Sequence, residues 1–454
     1  MALPLFDRFL APADAAAPFD DLALIQAMFD FEAALARAQA AAGVIPATSA
    51  AAIASVCKAE LYDLDALAAA STRAGSLAIP LVRELTQTVA LYSADAAAVV
   101  HLGGTSQDVQ DTAMALCTRR AVDRLDAVLG RLVDGLLALA ERHADTPMLA
   151  RTLLQPAQVM SFGLKVLNWT APVVRARERL RSAAARGLAL QLGGAIGTQA
   201  GLGPQAGAIE RHMADALGLA LPASPWHTQR DEWLRVAMEA AVLAGSLGKI
   251  GADLALLAQA EVGELNEPAV PGRGGSSAMP HKRNPVGALV AIAVAERAPH
   301  RAAALLSAMS QQHERGLGTW QAELAEWPGL FVGVTASAMA LDDVFEAPDV
   351  HPERMRANID ALRGLVFAEA AAAALAPVTG KARAHAVLGR LSGEVATDGG
   401  TLQDRLLAAL RTDASLRAVD GDTVRRAFDL QAALDAARRQ FDRRFAALRT
   451  APDT

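Results

Sequence analysis

Leucine falls at positions 125, 129, 132, 136 and 139, in steps of four and three, and the stepping returns at Leu243, Leu247, Ile250, Leu254 and Leu257. Only a helix brings such positions onto one stripe, so both runs predict long helices with the apolar seam of a bundle or coiled coil. Each is expected to exceed about thirty residues, a rod of roughly 45 Å or more at about 1.5 Å rise per residue. Gly245, Ser246, Gly248 and Gly251 lie along the second run, where small residues let another helix come close. Packing inside the chain and association between subunits would use that closeness equally well. Alanine, leucine and arginine dominate while aromatic residues are only 4%. These are the strong helix formers, so the expected fold class is all-α.

The helical pattern divides the 454 residues into three parts. A first helix is expected over Asp21–Ala42, capped by Asp20 or Asp21 and stopped by Gly43 and Pro46. HLGGTSQD, from His101 to Asp108, breaks the pattern before a long helix that begins near Ser106. Pro285 suits a first helical position, and a further long helix is expected after it, with a kink allowed at Pro299. Beyond Pro352 the helices become shorter and alanine-rich, with a loop at Gly399–Gly400. The expected domains are an N-terminal helical domain (1–105), a central long-helix bundle (106–352) and a C-terminal helical domain (353–454).

Charge and composition exclude several classes. The formal charge of −6 and the lack of any lysine/arginine block argue against nucleic acid as a partner. Two cysteines, Cys57 and Cys117, cannot build a disulfide framework, so a reducing cytoplasm is expected. The start MALPLFDRFL lacks the pattern of a signal peptide. The longest uncharged stretch, Gly187 to Ile209, is rich in Gly, Gln and Pro and suits a loop, so no membrane association is expected. The nine histidines form no HExxH motif, and no GxGxxG or P-loop is present, so neither a metal nor a cofactor is expected.

GGSSAMPHKRNP, from Gly274 to Pro285, stands apart from this background. Lysine occurs only at 58, 165, 249, 282 and 381, and asparagine only at 168, 266, 284 and 358. Lys282 and Asn284 therefore meet in one loop against the compositional drift. The glycines allow the backbone to fold over a ligand and to move, while loop N–H groups and a lysine can stabilise an oxyanion. At Thr105–Ser106 the spacing to Asp108 reads as a capping box, and a helix N-terminus is itself an anion site.

GSSAMPHKRNP resembles the GSSxMPxKxN signature of the fumarase/aspartase superfamily. HLGGTSQD resembles that superfamily's threonine–serine substrate segment, and FEAALARAQAAAGVIP (Phe31 to Pro46) the N-terminal helix of its adenylosuccinate-lyase-like members. RTLLQPA (Arg151 to Ala157) stands where the superfamily usually reads RTHxQxA. The resemblance implies an all-helical, three-domain fold and a homotetramer whose active sites are each built from three subunits, and that would set the leucine seams between chains. It implies Ser276 as the catalytic base usual in the superfamily, and Lys282 as support for developing negative charge. It places substrate-binding roles on His101, Thr105 and Ser106, on Ser277, Met279 and Asn284 of the signature, and on Arg151 and Gln155.

One departure matters: Leu153 stands where the lyases carry a histidine that serves a leaving amine or hydroxide. LQLGGAIGTQAGL (Leu190 to Leu202), PWHTQRDEW (Pro225 to Trp233) and QQHERGLGTWQAE (Gln311 to Glu323) resemble the 3-carboxy-cis,cis-muconate cycloisomerases of bacterial aromatic catabolism. That subgroup lactonises a tricarboxylate to 4-carboxymuconolactone in the protocatechuate (β-ketoadipate) route. Its nucleophile and leaving group are carboxylates, so the missing histidine costs the reaction little. Alternatively, Leu153 is simply a core residue on a helix. Lys282, Arg151, Arg230, Arg283 and Arg315 are the candidates to receive the substrate's carboxylates, Arg315 foremost because it falls in one of these segments, with His227 and His313 as weaker substrate-binding candidates. The alternatives are an adenylosuccinate-lyase-like C–N or C–O lyase, or a non-catalytic structural homologue.

Overall fold

The computed structural model describes residues 5–449. The first expected helix is α1, Asp21–Ala41, and the Asp20 carboxylate caps it by accepting the Ala23 N–H at 2.7 Å. Gly43 then takes a left-handed φ of +73° and ends it. The long helices are α2 (Ser106–Arg142), α3 (Phe162–Gly187), α4 (Asp231–Leu257), α5 (Val286–Ser307) and α6 (Thr319–Glu346). Of the two expected rods, α2 has 37 residues but α4 only 27, because the chain turns off through Gly263 at φ +60°. Helix α5 starts one residue after Pro285 and runs through Pro299.

The seams are consumed inside the chain. None of the ten seam residues from Leu125 to Leu139 and Leu243 to Leu257 is more than 4% exposed. Their expected place between subunits is therefore corrected: an apolar stripe already buried cannot drive association. A Cβ at Gly248 would overlap the Ala295 side chain of α5, so this glycine serves a close intrachain approach. Gly245 has open space within 4 Å, and Val242 on the same helix is 54% exposed.

The chain forms two compact units. The first comprises residues 1–130, 175–249 and 290–341. Its core includes Trp233 stacked on Trp327, with centroids 3.8 Å apart, and Phe331 beyond. The second comprises residues 131–174, 250–289 and 342–454. Within it the short C-terminal helices share an apolar core that runs from Ala371 to Val424. By length and composition alone, α4 and α6 are apolar enough to cross a membrane, although each carries charged residues. Of their most apolar windows, 50% and 56% is buried within the chain.

Two small antiparallel pairs interrupt the helices, β1 (Pro147–Thr152) with β2 (Gln155–Ser161), and β3 (Leu265–Asn266) with β4 (Asp349–Val350). Leu153 is thus neither helical nor in the core. Thr152 pairs with Gln155, leaving Leu153 and Leu154 as a two-residue turn with φ +50° and +65°. Both positive φ values make this the type I′ geometry, which Asn-Gly fits and leucine does not. The two side chains are 96% and 72% exposed. Leu153→Asn combined with Leu154→Gly is expected to stabilise the fold by about 1–2 kcal/mol, the approximate cost of left-handed backbone for an L-residue. Denaturant unfolding checks this, and an unchanged midpoint would mean the turn carries no strain.

Candidate active site

The candidate residues fall into two groups, one in each unit. In the first unit they gather at the N-terminus of α2. Asp108, in its first turn, is fully buried, and its two oxygens collect four donors. Oδ1 accepts from the Gly193 N–H at 2.9 Å and His227 Nε2 at 2.7 Å. Oδ2 accepts from the Gly194 N–H at 2.9 Å and the Thr105 N–H at 3.2 Å. The capping-box spacing is realised only in its carboxylate half. The Thr105 hydroxyl instead accepts from Arg315 Nη1 at 3.0 Å.

Arg315 Nη2 donates to the carbonyls of Gly194 and Ala195, at 3.3 and 3.0 Å. All three of these contacts are neutral oxygens, so the guanidinium charge is left for an anion. It sits at a helix N-terminus, where the helix dipole favours the same sign of ligand. His101 stands on the approach to that terminus with φ +57°, and its Nδ1 lies 2.7 Å from Glu32 Oε1. A Cβ at Gly104 would come within 3.0 Å of its ring. Burial works against the imidazolium, but the charge and hydrogen bond of Glu32, with the charge of Asp108, outweigh it and raise the His101 pKa. His227 is 4% exposed and held by Asp108, which makes it a brace for the 190–195 segment. His313 is exposed, with φ +48°.

Arg230 does not meet an open site. Its side chain is 0% exposed, and it donates to Asp111 at 2.8 and 3.1 Å and to both oxygens of Glu323. Its guanidinium carbon lies 4.5 Å from the Trp226 ring centroid. Burial alone would disfavour the cation, but Asp111 and Glu323 outweigh that and keep it charged.

In the second unit the signature loop is zipped at its base. The Asn284 N–H donates to the Gly274 carbonyl at 2.8 Å, and Gly275 bridges Arg283. Gly274 has φ +67°, and a Cβ there would overlap the Asn284 carbonyl. That glycine is required by a close approach, a different reason from the mobility expected of it. Ser276 Oγ accepts from the Met279 N–H at 3.1 Å and the Ala278 N–H at 3.4 Å. Ser277, Met279 and Lys282 are exposed, and among the described residues Lys282 makes no ion pair. Arg283 lies 3.8 Å from Asp349.

Glu267 organises the loop's exit. Its carboxylate accepts from the Gly287 and Ala288 N–H groups at 3.1 and 2.9 Å, capping α5 from a distance, and also meets Arg273 at 3.3 Å. Arg151 is committed elsewhere: its two terminal nitrogens donate to Glu264 at 2.9 and 2.8 Å. Glu264 also accepts from Asn358. Gln155 lies beside the hairpin turn and is exposed.

The sequence reading missed the acids that hold these groups: Glu32, Asp108 as a hub, Asp111, Glu264, Glu267 and Glu323. Only Asp108 carried a local signal, its capping spacing. The others act on partners far along the chain.

A sequence profile for the family described as Lyase matches residues 13–299. A Bradyrhizobium diazoefficiens protein named 3-carboxy-cis,cis-muconate cycloisomerase is 48% identical over 413 residues, 91% of this chain and 92% of the relative. A Streptomyces davaonensis nitrosuccinate lyase is 42% identical, over 90% of this chain and 89% of its own length. The crystal structure of 3-carboxy-cis,cis-muconate lactonizing enzyme from Pseudomonas putida matches with a TM-score of 0.90 at 40% identity, covering 98% of this chain and 99% of that one. The chain belongs to the fumarase/aspartase superfamily of lyase-type enzymes, in its 3-carboxy-cis,cis-muconate cycloisomerase family.

Proposed function

We propose that this enzyme lactonises 3-carboxy-cis,cis-muconate to 4-carboxymuconolactone in protocatechuate catabolism. The observation that carries this reading is the anion cradle at the start of α2, where Arg315 offers a charge met only by neutral oxygens beside Thr105. The relatives narrow which anion it takes. One substrate carboxylate forms the C–O bond of the ring across the diene, and charge builds on another carboxylate as an enediolate. Lys282 and loop N–H groups stabilise that charge, and Ser276 delivers the proton to carbon. The Ala278 and Met279 N–H groups that already donate to Ser276 Oγ would stabilise the alkoxide left behind. His101, Thr105, Ser106, Arg315, Ser277, Met279 and Asn284 bind the substrate. Gln155, exposed beside the hairpin turn, is kept as a substrate contact, while Arg151 and His227, held by Glu264 and Asp108, position the segments around it. The ionised substrate takes up one proton in becoming the lactone, and the Ser276 alkoxide regains its proton from solvent; no electrons are exchanged, so the reaction calls for no redox cofactor.

A homotetramer with shared sites is part of the proposal. Its support is the outward face of α4, with Gly245 open and Val242 exposed, and light scattering of the purified chain tests it. The three-domain division at 105/106 and 352/353 is kept, and the separate C-terminal apolar core favours its last boundary. A cytoplasmic setting, away from membranes, is proposed from the two free, buried cysteines. Burial pushes both thiols up, Cys117 to about 12, so neither is reactive at neutral pH.

The direct test follows the loss of diene absorbance with 3-carboxy-cis,cis-muconate, alongside adenylosuccinate and nitrosuccinate. Rapid loss with the first alone supports the cycloisomerase. The similarity to nitrosuccinate lyase favours C–N lysis as the second reading, and turnover of nitrosuccinate alone would select it. A folded chain inert to all three returns the non-catalytic homologue. Leu153→His is expected to leave lactonisation no faster, since a carboxylate nucleophile needs no base, and a large gain would count against this chemistry.

A further inference from the structure

Glu32 is the buried group that the reaction above does not use. It lies in the middle of α1, is 1% exposed, and one of its oxygens, Oε2, has no hydrogen-bond partner. A buried carboxylate with an unsatisfied oxygen is costly unless a nearby charge compensates it. The group in contact is His101, with Nδ1 at 2.7 Å from Oε1, the length of a charge-assisted hydrogen bond. With Nδ1–H given to Glu32, Nε2 is the nitrogen left for another partner.

The histidine is held from other sides as well. Its backbone is left-handed, with φ +57°. Gly104 leaves its ring just enough space. Its side chain stays 18% exposed, so the ring is not sealed from a ligand.

We infer that Glu32 is the positioning residue of the site: it fixes the orientation of the His101 ring and holds it as an imidazolium whose Nε2–H binds a carboxylate of the substrate. This rests on the proposed lactonisation for the identity of the ligand, while the state of His101 is independent of it. The other charged groups at this end of α2 are Asp108, whose oxygens are already satisfied by four donors, and Arg315, which reaches Thr105. Glu32 is thus the carboxylate in direct contact with the ring. The raised pKa of His101 follows from the same contact.

The sign is that of a base whose partner favours its cation. His101 stays protonated to higher pH with Glu32 than without it, so losing Glu32 moves the alkaline limb of kcat/KM to lower pH. The test reads His101 in the full-length protein by hydrogen–deuterium exchange at the imidazole C2 position, followed by mass spectrometry across pH. Glu32→Gln is expected to lower the His101 midpoint by about 1 unit or more, the usual effect of removing an opposite charge in contact. Glu32→Asp should recover most of that shift. An unchanged midpoint in a folded Glu32→Gln protein would overturn the inference, whatever the substrate proves to be.

The kinetic arm uses a double-mutant cycle with 3-carboxy-cis,cis-muconate. Glu32→Gln should raise KM more than it lowers kcat, and should add nothing further in a His101→Asn background. Full additivity would mean that Glu32 acts through the fold and not through His101. Failure of the wild-type protein to turn over this substrate would sink the lactonisation reading and leave the exchange result standing.

Discussion

Arg230→Met is expected to cost about 3–5 kcal/mol of stability, the range seen when one partner of a buried charge pair is removed. The side chain is wholly enclosed, so no water can replace it. Asp111 and Glu323 would be left facing each other's charge. Their other donors remain, from Trp320 and Gln107 to Asp111 and from Trp233 to Glu323, but these are neutral. Burial already pushes the Glu323 carboxyl up, with Arg230 opposing it. Without the arginine that rise is larger. A carboxyl whose folded pKa lies above its unfolded value loses stability as pH rises through the folded pKa. The deficit of the variant should therefore grow from acid toward neutral pH. Replacing Arg230, Asp111 and Glu323 together with apolar residues should recover much of the loss. Urea unfolding at two pH values measures all three effects, and a loss below about 1 kcal/mol would show that the cluster is not a charged one.

Lys282→Ala is expected to lower kcat about 10²–10³-fold, the effect of removing one preorganised donor from a developing oxyanion. Ser276→Ala should fall in the broader range of about 10²–10⁴ for a positioned proton donor. Both side chains lie on a loop pinned by backbone contacts, the Gly274–Asn284 hydrogen bond and the Gly275–Arg283 bridge. Neither substitution removes these, so the folded structure should persist and the loss should be in turnover. Thermal unfolding beside the steady-state assay separates the two. Near-normal turnover by both variants would remove the loop from the chemistry and return the reaction to the cradle around Arg315.

Helices were legible wherever the signal was local and periodic. The Asp20 cap, the stop at Gly43 and the two leucine seams needed only neighbours a few residues away. The signature loop stood out because its residue types defied the composition, and its resemblance to the superfamily signature made it a candidate site. What stayed hidden were charges with remote partners. Arg230 and Arg315 look alike as isolated letters, yet one is sealed between two acids and the other ends on neutral oxygens. The β1–β2 hairpin was also illegible, because Leu-Leu is the wrong chemistry for a type I′ turn and no local rule places it there.

By itself the sequence determined that the chain is helical, which residues line its seams, and that a serine–lysine loop bounded by glycine resembles the superfamily signature. Periodicity and unusual composition are properties of neighbouring residues, and they survive without a fold. Tertiary structure decided which charges are spent and which remain free. It turned the seams inward, gave Arg151 to Glu264 and Arg230 to Asp111 and Glu323, left Arg315 unneutralised, and set Glu32 behind His101. The physical reason is that a charge's role depends on its partner and on its distance from water. Both are set only when segments far apart in the chain are packed together.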